Sequence, residues 1–252
     1  MRPVAAFKDL FSGHAADYAR FRPTYPSELF GWLAEVSPSR ARAVDVGSGN
    51  GQAAVGLAAQ FDHVVGIEPS AEQRQRATDH PKVEYRTGSA DATGLEPAST
   101  DLVLAAQSFH WFPREAFFDE VRRIARPGGV LALVTYALST VSPEVDQLVA
   151  GFYRDLDPYW EPERRLVETG YATVEVPFDE LETPQFAMTA AWTADQVLGF
   201  LGTWSALRRA LTEGADPLAD LSPRLRAAWG DAATRLVTWP LSVRAFRLPA
   251  VH

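Results

Sequence analysis

The chain has 252 residues, 46% of them hydrophobic and 22% charged, with a net charge of −8 and no cysteine. That is enough apolar material for one large core; the acidic balance argues against a basic nucleic-acid surface, and the lack of cysteine excludes disulfides, thiolate metal sites and a cysteine nucleophile. No apolar run approaches the ~20 residues needed to span a bilayer, and the opening MRPVAAFKDLF has no long apolar stretch of a secretory signal, so a cytoplasmic protein with no membrane partner is expected.

After a polar-aromatic start, residues 27–36 (SELFGWLAEV) are predicted to be helical, with Ser27 as cap. Apolar runs then alternate with amphipathic ones. Strands are expected at 42–47, 63–68, 82–87, 101–108 and 130–136, and helices at 51–61, 70–79 and 113–125. A Ser70/Gln73 capping box opens the second of these helices, and Pro113 lies in the first turn of the third. RPGG (126–129) reads as a turn. The alternation predicts an α/β, Rossmann-like doubly wound fold, its mostly parallel sheet covered by helices on both faces. Beyond residue 140 the rhythm changes. Helices are expected at 143–156, 193–214 and 222–237, with strands at 186–192 and 240–249. No Gly/Ser linker intervenes, so residues 1–252 read as one domain: an N-terminal lid (1–36), a ligand-binding core (40–136), a helical cap (about 140–235) and a last strand.

The segment VDVGSGNGQ carries Gly47, Gly49 and Gly51 at alternate positions, at the end of the first strand. Ligands of such sheets bind at the carboxyl ends of the strands. The spacing is one residue shorter than the G-x-G-x-x-G that cradles a dinucleotide pyrophosphate. Glu68 ends the second strand, 23 residues after Asp45 (68 − 45), where an acid can accept hydrogen bonds from a ribose hydroxyl pair. Pro69 can cover one face of a base.

VDVGSGNGQ, GIEPS, GSADATGL and RPGG, in this order and spacing, resemble the class I S-adenosylmethionine-dependent methyltransferases over roughly residues 40–136. The resemblance implies S-adenosylmethionine as cofactor, S-adenosylhomocysteine as product, and a seven-stranded sheet with an antiparallel last pair. It implies that Asp45 orients the glycine loop, with Ser48, near the methionine amino group, that Glu68 holds the ribose, and that Ser89 and Ala90 lie along the adenine. Many relatives carry Asp where this chain has Ser89, which leaves backbone contact at Ala90. YARFRPTYP (18–26), QSFHWF (107–112) and TWSA (203–206) resemble the methyltransferase type 11 branch that includes trans-aconitate methyltransferase. That likeness implies an N-terminal segment folded over the cofactor, with Tyr18 and Arg22 at its methionine end and Gln107 in the cofactor set.

Methyl transfer from a sulfonium needs alignment and exclusion of water. A base is needed only where the acceptor loses a proton. His110 is the leading candidate, following the fourth strand between Phe109 and Trp111, where partial burial would keep it neutral. Packing beside the cofactor is the competing role. Trp111, Tyr153, Trp160 and Trp204 are candidates to face a planar acceptor. Arg164, Arg165, Arg208 and Arg209 are either an anion clamp or solvated helix faces. No histidine pair has metal-ligand spacing, so no metal is expected. The expected activity is methyl transfer to oxygen, nitrogen or carboxylate of a small molecule, by a monomer or homodimer. A non-catalytic cofactor-binding protein and a nicotinamide oxidoreductase are the alternatives.

Overall fold

The structure is a computed structural model and describes residues 23–250. Its first helix, α1 (Ser27–Val36), occupies the expected span, but Pro26 is the residue before its first turn, and the Ser27 hydroxyl turns to Glu28 instead of capping. Then follow β1 (Arg42–Val46), α2 (Gln52–Ala58), β2 (His63–Ile67), α3 (Ala71–Gln75), β3 (Val83–Arg86), β4 (Thr100–Ala106), α4 (Arg114–Ile124) and β5 (Ala125–Tyr136). The third helix is half its expected length. The Ser70 hydroxyl does accept the Gln73 N–H, at 3.3 Å.

In this half, strand order is β3-β2-β1-β4-β5, all parallel. The order reverses between β1 and β4, so their carboxyl ends flank the crevice where ligands of such sheets sit. β1, β2, β4 and most of β5 are near-continuously buried because both faces are covered, while β3 (VEYR) is a half-buried edge strand. Val44, Val46, Val65, Val103 and Leu131 pack on one face with Phe117 and Val121 of α4. Ala43, Val64, Leu102 and Leu104 pack on the other with α1 and α2. One buried acid of this core is paired: Asp101 receives the Arg126 guanidinium at 2.8 Å and the Arg42 N–H at 2.8 Å.

The last third is α5 (Pro143–Asp155), α6 (Arg164–Glu168), β6 (Asp179–Leu181), β7 (Phe186–Trp192), α7 (Ala194–Gly202), α8 (Ser205–Thr212), α9 (Pro217–Trp229) and β8 (Arg235–Arg247). The sheet has eight strands where seven were expected. β8 runs antiparallel to β5, and it pairs with β6 near its end and with β7 along its first half. The helix expected over 193–214 is two helices, broken at Thr203–Trp204, because Trp204 turns inward among Phe152, Tyr153, Trp160 and Phe200. The helix expected over 222–237 starts earlier, where Asp216 accepts the Ala219 N–H, and ends at Trp229 against Gly230, whose φ is 64°. Residues 235–237 belong to the last strand, paired with Trp192, Ala191 and Ala190. α5, α7, α8 and α9 share one core with Trp192 and Trp239, forming a helical layer over the carboxyl end of β5.

Candidate active site

The three glycines serve different ends. All have positive φ, at 71°, 52° and 83° for Gly47, Gly49 and Gly51, which L side chains resist. A Cβ on Gly47 would lie 2.6 Å from Ser108 Cβ, and one on Gly51 would lie 1.9 Å from the Tyr85 hydroxyl. Those two positions are closed by the protein's own side chains. Only at Gly49 would a Cβ enter open space, with no atom within 4 Å among the described residues. The close approach that the sequence pattern assigned to a ligand is thus reserved for Gly49.

Two carboxylates support the loop. Glu68, 6% exposed, accepts the Gly49 N–H at 2.9 Å and the Ser70 N–H at 2.8 Å. It therefore shapes the loop before any ligand arrives. Asp45, 1% exposed, has no hydrogen-bond donor in bonding geometry on either oxygen among the described residues. Burial pushes its carboxyl from 3.8 up to about 7; the Ala54 backbone N–H pulls it back, and the Glu68 charge raises it further. A buried carboxylate so short of donors among the described residues, under a glycine loop, is a place for a cation or a donor group. The Ser48 hydroxyl is buried against the position a Gly66 Cβ would take. Ser89 donates to Asp91 at 2.6 Å, so its side chain is already committed. Ala90 is buried in the core, and Pro69 is exposed beside Glu68.

The segment after β4 joins this loop to a second space. Ser108 donates to the Val46 carbonyl at 2.8 Å, and Ser108 and Phe112 abut Gly47. His110 and Trp111, in the short 3₁₀ turn Phe109–Trp111, face a cavity that opens to solvent. Gln107, Tyr136, Trp160, Arg164, Phe200 and Trp204 complete most of its wall. Gln107 has φ 55° and lies at the strand end, a strained conformation of the kind that clusters at functional sites. His110 Nδ1 lies 3.1 Å from the Tyr171 hydroxyl. Burial, then the Arg164 charge, pushes His110 from 6.5 down to about 3, so it is neutral at physiological pH. The Arg164 guanidinium lies 5.0 Å from the Trp160 ring centroid and donates to the Tyr153 hydroxyl at 3.0 Å.

Of the residues predicted from sequence, Asp45, Gly47, Ser48, Gly49, Gly51 and Glu68 gather around the loop, with Pro69 at its edge. His110, Trp111, Trp160, Trp204 and Gln107 gather around the cavity. Tyr153 stands behind that wall, packed on Trp160 and Trp204, its hydroxyl donating to Glu168. Tyr18 and Arg22 lie outside the described residues. Ser108, Tyr85, Thr135, Tyr136 and Tyr171 were missed, since each acts through a contact distant in sequence. Among the described residues no group of three or more His, Asp or Glu is placed to hold a metal ion, and no helix is long and apolar enough to cross a membrane.

A parallel sheet with this strand order, a glycine loop over two buried acids and an adjoining aromatic cavity define an α/β nucleotide-cofactor enzyme. Comparison with known proteins sharpens the class. Residues 44–133 match a family model described as "Methyltransferase domain". A Dictyostelium discoideum protein named as a methyltransferase is 31% identical over 245 residues, 93% of each chain. The solved structure of an Anaeromyxobacter dehalogenans protein, described as a candidate type II methyltransferase, is 49% identical, covers 91% of this chain and 99% of its own, and superposes with a TM-score of 0.85. The 27-O-demethylrifamycin SV methyltransferase of Amycolatopsis mediterranei is 32% identical over 142 residues, 52% of each chain. The chain belongs to the class I S-adenosylmethionine-dependent methyltransferases.

Proposed function

We propose that the protein binds S-adenosylmethionine on the Gly47–Gly51 loop and methylates a small planar acceptor held in the aromatic cavity. The observation that carries this reading is the continuity of the two spaces: Ser108 and Phe112 touch Gly47, while His110 and Trp111 of the same segment line the cavity. The residues present fit the cofactor. The buried Asp45 carboxylate, which takes no donor in bonding geometry from the described residues, suits its amino group, Glu68 stands at the loop within reach of ribose hydroxyls, and the open face of Gly49 admits a close approach. The cofactor would supply an electrophilic methyl group on a positively charged sulfur.

The chain's own part is to align the acceptor and keep water out. Trp111, Tyr136, Trp160, Phe200 and Trp204 make the wall largely aromatic, which suits a flat ring. Neutral His110 accepts a hydrogen bond from an acceptor O–H or N–H. A conjugate acid near 3 is a weak base toward a resting alcohol, but the proton becomes strongly acidic once the methyl has bonded, so His110 takes it late in the transfer. The relative that acts on demethylrifamycin by name supports a small-molecule oxygen acceptor. Arg164 in the cavity wall favours a second reading, in which a carboxylate acceptor pairs with its guanidinium and no proton leaves.

Calorimetry with S-adenosylmethionine, S-adenosylhomocysteine and NAD tests the cofactor. Binding of the first two and not the third is expected; NAD binding alone would overturn the reading. Incubating the protein with methyl-labelled cofactor and a panel of phenols, hydroxy-heterocycles and carboxylic acids, read by mass spectrometry, identifies the acceptor class.

A further inference from the structure

Gly66 is a glycine inside a buried parallel strand, a position that marks the close approach of something else to the backbone. Its partner across the ladder is Tyr85 of β3. A Cβ on Gly66 would lie 2.7 Å from Tyr85 Cδ1 and 2.9 Å from Cε1, so the tyrosine ring lies over the bare strand. The same ring edge continues to the glycine loop. A Cβ on Gly51 would lie 2.9 Å from Cε1 and 2.6 Å from Cζ, and would overlap the hydroxyl oxygen. The Tyr85 ring therefore fills the space between β2 and the start of α2, with a glycine on each side of it.

The ring ends in a tie to the loop. The Tyr85 hydroxyl lies 2.9 Å from the Thr78 carbonyl oxygen, which can only accept, so the phenol donates. The Thr78 N–H in turn donates to the Asn50 carbonyl at 3.0 Å. Asn50 stands between Gly49 and Gly51, and the Gly51 N–H closes the turn on the Ser48 carbonyl at 2.8 Å. The loop is thus pinned from two sides. Its first half hangs on β2: the Gly47 and Ser48 N–H groups donate to the Ile67 carbonyl at 2.8 and 3.1 Å, and the Gly49 N–H donates to Glu68 at 2.9 Å. Its second half hangs on Tyr85, by packing at Gly51 and through Thr78 at Asn50. Gly49, the position open to a ligand, stands where the two supports meet.

We propose that Tyr85 is a positioning residue for the cofactor loop: its ring, between Gly66 and Gly51, and its hydroxyl, acting through Thr78 on Asn50, set the second half of the loop in its binding shape before the ligand arrives. A loop already in shape loses less freedom on binding, so the hydroxyl adds affinity through the loop. This rests on the Gly47–Gly51 loop being the S-adenosylmethionine site, but the set of the loop is a property of the ligand-free protein and is measured without cofactor. Failure of the loop test and failure of the cofactor reading are therefore separate results.

Tyr85→Phe keeps the ring and removes only the hydroxyl. Amide hydrogen exchange is followed by NMR on the full chain, ligand-free and labelled with nitrogen-15, and a thermal melt checks that the variant is folded. Exchange at Gly51 and Thr78 is expected to quicken about 2- to 10-fold, the worth of one net hydrogen bond, while Gly47 and Ser48, which hang on Ile67, keep their wild-type rates. Affinity for S-adenosylhomocysteine, measured by calorimetry, should fall by a similar factor. Thr78→Ala leaves both backbone bonds in place and should match the wild type in exchange and affinity. A wild-type exchange rate at Gly51 in Tyr85→Phe, an equal acceleration at all four amides, or an unchanged affinity overturns the proposal. A wild type that binds no S-adenosylhomocysteine sinks the cofactor reading instead, and the exchange pattern still decides whether Tyr85 sets the loop.

Discussion

Replacing Asp45 by Asn should strengthen the ligand-free fold and weaken the cofactor complex, two effects of opposite sign from one atom change. In the folded chain burial holds the Asp45 carboxyl at about 7 against an ordinary 3.8. A raised acid contributes its full stability only below the ordinary value, and loses it as pH climbs to the folded one. At about 1.36 kcal/mol per unit, the roughly three-unit rise makes ionised Asp45 a penalty of about 4 kcal/mol above pH 7. The Asn amide removes that penalty but leaves its own buried groups short of partners, at about 1–3 kcal/mol. The net gain is about 1–3 kcal/mol, or roughly 2–10 °C in Tm for a chain of this size. Cofactor affinity should fall about 10- to 100-fold at pH 8, the worth of a charge-assisted hydrogen bond. It should rise with pH through about 7 in the wild type and stay level in the variant. Calorimetric melts of the ligand-free proteins across pH 4–9, with titrations of S-adenosylmethionine at the same pH values, measure both. An Asn variant that melts below wild type at pH 8, or that binds with wild-type affinity and pH dependence, would refute the assignment.

Glu68→Ala should weaken cofactor binding by about 1.5–3 kcal/mol by calorimetry, and because the side chain also holds the Gly49 and Ser70 N–H groups, it should lower stability by about 1–3 kcal/mol. Gly49→Ala should fold with a strain cost of about 1–2 kcal/mol from its positive φ and lose cofactor affinity, whereas Gly51→Ala, driven into the Tyr85 ring, should lose the fold first; melts and titrations of the pair separate the two. His110→Ala should lower turnover about 10²–10⁴-fold for an acceptor that loses a proton and leave cofactor affinity intact, and a variant with wild-type turnover would remove His110 from the mechanism. Since the His110 ring is held near 3, below its ordinary 6.5, its contribution to stability is present above about pH 6.5 and lost as pH falls toward 3; the wild type should lose about 2 kcal/mol at pH 5 that His110→Gln keeps, as read from acid denaturation midpoints.

What the sequence determined by itself was the part of the protein built from local pattern. Apart from the edge strand β3, which a loop joins to β4, each parallel strand from β1 to β5 is an apolar run with a helix after it, and that periodicity depends on neighbours a few residues away. Gly47, Gly49, Gly51, Asp45 and Glu68 could be assigned to one site because they stand at the ends of those strands, where parallel topology must bring them together. The last third was less legible. Residues 235–237 read as helix because their period is ambiguous over so short a run, and only pairing with β7 makes them strand. Trp204 reads as one more apolar position of a long helix, and only the aromatic cluster that draws it inward breaks the helix there. Which glycine is open to a ligand was also beyond the sequence, because the atoms that close Gly47 and Gly51 belong to Ser108 and Tyr85, 61 and 34 positions away (108 − 47 and 85 − 51). The partner of His110 was likewise beyond the sequence: its Nδ1 meets the Tyr171 hydroxyl, 61 positions away (171 − 110), and contacts over such separations exist only once the chain has folded.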